Sequence, residues 1–582
     1  MPEIAKTIKI TLDPTAETFG EAVNTAVTMF ERRLKKRCGV KMNSGKADAQ
    51  ILVTRDDSVK DEGYMIAGSA NALEVRASGA RGITAGLGKL LRTSFYYEDG
   101  LALSEWRGSS IPTSVLRGIQ LDTHFCNYYH MAPAEELEEY VTDLAFRGIN
   151  CLDIVFPLID LLGWDDPEVD HITAQIGAIC RAAEKIGIGV GLEIVPNQDF
   201  VNRRQEFAAS PNVEKIRKRG NNGHNMCPNK PGALKYITDT YLHVLKHLAA
   251  NGIFMEYLCF WPYDEGGCGC EKCLPWGANG FIKASKAIFG EVRKEFPEMK
   301  VILSTWLFDT PDDQGEWSGL SRLLDGNNDW VDFILADSHT DYPKYPLTHP
   351  IPGGLPLINY PEISMWALYP WGGYGANPLP ARFERLWHQV SHVVKGGIAY
   401  SEGIFDDINK AVVAGFYWNK DTTAMDTLAE YISYEFGTDR VADVQDVIRA
   451  IEENHVKTAV GVEKVVTRDC NTKAVTEEFY QSAQKAWLLT QEVDRTLPEW
   501  GKKSWKWRIL YLRAMFDELR FRKALEQRDT LREDSTWTEV LKGDAGAKEG
   551  MRELVKIYHS NMDYDDSIHP MYHHVRPALD EI

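Results

Sequence analysis

Eight short apolar runs rich in β-branched residues recur at fairly even spacing between Leu116 and Gly403, and most end on a carboxyl group. In order they are LRGIQLD to Asp122, NCLDIVF with Asp153, GIGVGLEIV with Glu193 and IFMEYLCFWPYDE to Asp264 and Glu265. VILSTWLFD to Asp309, VDFILAD to Asp337, LPLINYPE to Glu362 and GGIAYSE to Glu402 complete the set. Stretches of helical periodicity separate them, so strand and helix alternate eight times. Such a chain closes into a parallel (βα)₈ barrel, in which functional side chains sit where the strands end. The expected fold class is therefore α/β.

The barrel accounts for residues 112–420 of 582, which leaves room for further domains. Residues 1–111 predict a small α/β domain. A first strand (IAKTIKITLD) leads into an amphipathic helix with Ala22, Val23, Ala26, Val27, Phe30 and Leu34 on one side. Three strands follow (ILVTR, GYMIAGS, ALEVRAS), then a helix from near Arg81 carrying Ile83, Leu87, Leu90 and Leu91. WRGSSIPTS is polar, with Gly and Pro, and is expected to be a linker. Residues 421–582 lack strand signals and predict a helical domain packed on the side or rim of the barrel. Its tail, SIHPMYHHVRP with His569, His573, His574 and Arg576, fits a loose end, an insertion at a site or a dimer contact.

A formal charge of −19 argues against nucleic-acid and anionic-membrane partners, which want clustered Lys and Arg. No stretch of about 18 uninterrupted apolar residues occurs, so no bilayer span is expected. MPEIAKTIKITLD shows neither the apolar core nor the cleavage site of a signal peptide. Ten cysteines in so long a chain do not make a disulfide framework, so mostly reduced thiols in a cytoplasmic protein are expected.

A ring of acids and aromatics at one rim suits glycoside hydrolysis, which needs one carboxyl to protonate the leaving oxygen and another as base or nucleophile. The catalytic candidates are Asp264, Glu265, Asp337, Glu362 and Glu402. Any of them could equally be a helix cap or a ligand for sugar hydroxyls. Asp122, His124, Glu193 and Asp309 are expected to bind the sugar. Trp261, Trp306, Trp366 and Trp371 follow strand ends, where an indole could cover the C–H face of a saccharide or simply fill the core.

CGCEKC places Cys268, Cys270 and Cys273 within six residues, directly after the Asp264–Glu265 pair. Cys227 (in HNMCPNKPG) comes from the preceding top-face segment and could complete a four-sulfur structural zinc site, with His224 as a substitute ligand. Plain thiols or disulfides are the alternative. A catalytic zinc is disfavoured, because four thiolates leave no open position. Cys38, Cys126, Cys151, Cys180, Cys259 and Cys470 lie singly and are expected to be small buried hydrophobes.

DEGYMIAGSANALEVRASGARGITAGLGKLL resembles the first-domain signature of the β-hexosaminidases, the α-glucuronidases and related glycoside hydrolases. The resemblance covers about residues 1–420, strongly in the first domain and more loosely in the barrel, and the helical third region is similar to the α-glucuronidase arrangement. It implies a catalytic acid just past the fourth strand, where Asp264–Glu265 stands. In the hexosaminidase pattern the Asp orients an acetamido nucleophile and the Glu donates the proton, but FWPYDEGG lacks the preceding His-x-Gly-Gly. In the α-glucuronidase pattern inverting bases come from the sixth and seventh strands, the places of Asp337 and Glu362. Gly63, Arg81 and Gly82 of the signature are expected to be structural. Similar barrel families also pair a CP loop with a CxCxxC loop, which supports the cysteine grouping.

The expectation is an exo-acting glycosidase that needs no cofactor for catalysis and trims a terminal sugar from an oligosaccharide. Within it, an inverting α-glucuronidase-like enzyme and a β-N-acetylhexosaminidase-like enzyme compete. A uronic acid would want cations near the pocket, and the barrel offers few beyond Arg117 and Lys344. A non-catalytic carbohydrate-binding barrel is a further alternative. So is a metal-dependent isomerase or lyase, for which His124 and His339 are the strand-end histidines. A homodimer through the helical region is open.

Overall fold

The computed structural model describes residues 4–43, 45–124, 127–210, 225–263, 267–309, 313–338, 342–364, 375–458, 474–528 and 540–560. All eight expected strands form and close a parallel barrel. We label the barrel strands β1 (Leu116–Leu121), β2 (Cys151–Val155), β3 (Gly189–Ile194), β4 (Tyr257–Phe260), β5 (Lys300–Ser304), β6 (Phe333–Asp337), β7 (Leu357–Tyr360) and β8 (Gly396–Ser401). Closure comes from β8 lying parallel to β1, with Gly396 opposite Leu116 and Ser401 opposite Leu121. These strands are covered on both faces, so their sequences are near-continuous apolar runs rather than alternating ones.

The first domain is a six-stranded sheet in the spatial order 41–42, 7–12, 49–55, 72–77, 64–69 and 108–110. The last of these corrects an expectation. Gly108–Ser110 is no linker but an edge strand, antiparallel to Tyr64–Ile66. An edge strand is held by main-chain hydrogen bonds and can keep polar side chains, so apolar patterning does not report it. The helix Glu21–Cys38 buries Val23, Ala26, Phe30 and Leu34 as expected, together with Met29 and Cys38.

In the RG-x-x-x-G string, Gly82 and Gly86 pack against the first domain's own sheet, while Arg81 and the neighbouring Gly88 face the barrel. In the helix Ala80–Thr93, a methyl group on Gly88 would overlap the Phe146 carbonyl at the end of barrel helix Ala134–Phe146, and one on Gly82 would overlap the Gly63 carbonyl. Arg81 donates to Gly187 O and pairs with Glu62. Arg117, at the start of β1, also pairs with Glu62 and donates to Gly148 O at 2.6 Å. It therefore serves the interface at the foot of the barrel, opposite the acid-bearing strand ends.

The helices Trp505–Gln527 and Ala545–Tyr558 reach the rim, as anticipated for the third region. Ala376 N donates to Ile509 O at 3.2 Å, and the Tyr558 hydroxyl donates to Glu402 O at 3.0 Å. Buried Lys506 pairs with Asp143 and Asp407 of the barrel-wall helices and with Glu435 of the third region's own first helix, tying this region to the barrel. The histidine-rich tail lies outside the described residues. No helix among the described residues is long and apolar enough to cross a membrane.

Candidate active site

The acids at the strand ends gather around tyrosines that stand one step below them. Side chains two residues apart on a strand face the same way, so Gln120 and Asp122, Tyr360 and Glu362, and Tyr400 and Glu402 form stacked pairs at the barrel mouth. The Tyr400 hydroxyl lies 2.8 Å from Asp122 Oδ2 and 2.6 Å from Glu402 Oε1. A phenol carries a single proton, so it can donate fully to one of these carboxyls. Asp122 Oδ1 is also 2.6 Å from His124 Nδ1, whose Nε2 is 4.0 Å from Asp160 Oδ2. Asn127 Nδ2 donates to Glu402 O at 2.9 Å, fixing the β8 rim from the β1 side.

Tyr360 lies at the centre of a second set. Its hydroxyl donates to Gln120 Oε1 at 2.6 Å. Burial first, then the nearby carboxylates Glu193, Glu362, Asp122 and Asp153, pushes that hydroxyl well above the usual phenol range. Glu362 is 4% exposed and accepts a hydrogen bond from Trp306 Nε1 at 2.9 Å. The Trp261 and Trp306 rings stack at 5.4 Å, and Trp261 lies 4.6 Å from the Tyr360 ring. They are 4% and 7% exposed, so their faces are largely committed to one another.

Beneath Glu193, Asp153 is buried in the barrel interior, within 4.8 Å of Glu193 and Cys259 measured between the polar atoms. Burial pushes its carboxyl up to about 7, against the Cys259 thiol and the Ile154 N–H, which favour the anion. Gly191 makes room for it, since a Cβ there would come within 2.6 Å of Asp153 Oδ1.

Of the expected site residues, Asp122, His124, Glu193, Trp261, Trp306, Glu362 and Glu402 thus belong to one neighbourhood. Asp309 and Asp337 both raise the buried Tyr342 hydroxyl after the larger effect of burial, and Asp337 ends its strand beside Tyr360. Asp264, Glu265, Trp366 and Trp371 lie outside the described residues, as do His224 and His339. Asp153, Asp160, Gln120 and Tyr400 were missed as site residues. Strand parity would have found Gln120 and Tyr400, each two positions before an acid already singled out.

The four expected cysteine sulfurs also converge. Those of Cys227, Cys268, Cys270 and Cys273 all lie within 4.8 Å of one another, and Cys227 Sγ is 3.8 Å from both Cys270 Sγ and Cys273 Sγ. All are free thiols. Cys38, Cys151, Cys180 and Cys259 are buried singly, whereas Cys126 and Cys470 are outside the described residues.

No family model and no curated protein matches the sequence. Solved structures do resemble the fold. A GH115 4-O-methyl-α-glucuronidase, BtGH115A, superposes with a TM-score of 0.62 at 13% identity, over 97% of this chain and 78% of that one. A GH89 enzyme from Clostridium perfringens gives 0.59 at 12% identity, over 94% of this chain and 65% of that one. A GH20 β-N-acetylhexosaminidase from Streptomyces coelicolor gives 0.50 at 16% identity, over 74% and 93%. At these identities the likeness is one of architecture, and the chain shares its fold with glycoside hydrolases of several families.

Proposed function

We propose that this chain is an exo-acting glycoside hydrolase using carboxyl groups at the β-strand ends of its barrel. The observation that carries this reading is the meeting of Asp122, Glu193, Glu362 and Glu402, from four different strands, around Tyr360 and Tyr400. A hydroxyl-rich ligand is recognised by such acceptors, and acid–base cleavage needs two of them in different protonation states. Glu362, held in place by the Trp306 N–H, is assigned as base or nucleophile. Glu265 is assigned as the acid from its place after β4. Glu402 is the alternative, from its place at the end of β8 beside Tyr400 and Asp122. Asp122, His124 and Glu193 would hold the hydroxyls of the terminal sugar. The third region's Tyr558 against Glu402 narrows one side of the mouth, which favours a pocket over an open cleft.

The four-cysteine centre takes no part in the chemistry of this reading, because four thiolates leave a bound ion no open position. Among sugars, Arg117 is committed to the opposite end of the barrel, which removes one of the two cations expected near a uronic acid. That counts against the α-glucuronidase-like version without excluding it, and the two versions still differ in substrate and in mechanism.

The test is a panel of aryl glycosides with wild type, Glu265→Gln and Glu362→Gln. The expected outcome is hydrolysis of at least one glycoside and a fall in kcat of about 10²–10⁴-fold in Glu362→Gln with an unchanged melting temperature. A wild-type protein inert to the whole panel, or a Glu362→Gln variant at full rate, refutes it.

A further inference from the structure

We infer that Cys227, Cys268, Cys270 and Cys273 bind one zinc ion in a closed four-sulfur site that clamps the segment after β3 to the segment after β4. Zinc holds four thiolates at about 2.3 Å in a tetrahedron, which sets the sulfurs about 3.8 Å apart. Two of the sulfur pairs stand at 3.8 Å and none is farther than 4.8 Å. A disulfide would need about 2.0 Å, so the group is spaced for an ion between the sulfurs rather than for a bond between two of them.

The surroundings are those of charged sulfurs. Asn229 Nδ2 donates to Cys273 Sγ at 3.1 Å, and Ser210 N donates to Cys268 Sγ at 3.4 Å. The backbone N–H groups of Asn229 and Cys270 serve Cys227 and Cys268. Behind Asn229, Lys283 Nζ donates to Asn229 Oδ1 at 2.6 Å and so brings a positive charge to bear on the amide that serves Cys273. Thiols are poor hydrogen-bond acceptors and gain little from four such donors, whereas thiolates around a dication need them to offset the excess negative charge. Cys268 and Cys273 are fully buried, and four anionic sulfurs packed there without a cation would repel one another. On binding, each thiol gives its proton to solvent and its sulfur lone pair to the ion, with no change of oxidation state.

The fold explains why the ion is needed. Cys227 stands before helix Ala233–Ala250, and the other three ligands stand before helix Gly280–Glu295. Gly269 N donates to Ser210 O at 3.1 Å, a main-chain bond that joins the two segments among the described residues. Cys268 follows Glu265 by three residues, so an ion at this place would pin the end of the segment bearing the assigned acid. That last consequence rests on the glycosidase reading. The metal site itself does not.

Metal analysis of the full chain, purified without chelator from zinc-containing medium, tests the site separately from any activity. One zinc per chain is expected. Protein grown on cobalt should show the visible absorption of tetrahedral Co(II) with sulfur charge-transfer bands. Asn229→Ala keeps all four ligands and loses one donor, so its zinc affinity in chelator competition should fall about 10–100-fold. Cys273→Ser should lose the ion, and if it fails to fold, the Asn229→Ala measurement still decides. Metal-free protein with four reactive thiols, a disulfide among the four found by mass spectrometry, or iron in place of zinc would each overturn the assignment. If zinc is present while no glycoside is cleaved, the site stands and the glycosidase reading falls.

Discussion

Replacing Asp153 with Asn should make the protein more stable above about pH 7 and leave it nearly unchanged near pH 4. Asp153 is 1% exposed, and burial lifts its carboxyl from the ordinary 3.8 to about 7. In the unfolded chain the same group returns to about 3.9. The folded protein therefore keeps a proton that the unfolded chain gives up between about pH 4 and 7. The stability this contributes is fully present below pH 4 and is lost as the pH rises through 7. A shift of about three pH units at about 1.4 kcal/mol each amounts to roughly 4 kcal/mol. Asparagine has the same shape and cannot ionise, so the difference between variant and wild type isolates this proton from every other titration. Denaturation midpoints should diverge progressively from pH 4.5 to about 7, with the variant the more resistant, and stay apart by a constant margin from there to pH 8.5. Parallel curves, or a variant weakened equally at both ends, would show that no proton is held there and that the carboxyl is merely hydrogen-bonded.

Two other substitutions probe the positioning of the mouth and of the first domain. Trp306→Phe keeps a ring against Trp261 and deletes the N–H that Glu362 accepts. Loss of a hydrogen bond to a charged group costs about 1.5–3 kcal/mol, so kcat on the responsive glycoside should drop roughly 10–100-fold with a smaller change in KM. A change in KM alone would mean the indole serves binding only. Gly88→Ala places a methyl group against the Phe146 carbonyl, and easing the helix off the barrel should cost about 1–3 kcal/mol. The expected readout is a lower melting temperature and faster proteolysis near residue 108, with kcat preserved, and an unaltered melting temperature would refute the tight docking.

How much of this was legible in the sequence follows from the range of each interaction. Strands buried on both faces announce themselves as runs such as GIGVGLEIV, and the acid that ends each run marks the rim, so barrel and rim acids could both be anticipated. CGCEKC is a local cluster, and its fourth member needed only the neighbouring top-face segment. The edge strand Gly108–Ser110 was hidden because main-chain pairing leaves no mark on side-chain pattern. Which acids face each other was hidden as well. Tyr400 reaches Asp122 across 278 residues of sequence, and only the closure of β8 onto β1 creates that contact. Asp337 pairs in register with Tyr360 and its carboxylate also acts on Tyr342 beside Asp309, a neighbourhood that only the closed barrel creates. Glu362 borders Tyr360 and is held by the Trp306 N–H, so Glu362→Gln should lose more kcat than Asp337→Asn on one substrate, and the reverse order would make Asp337 the base.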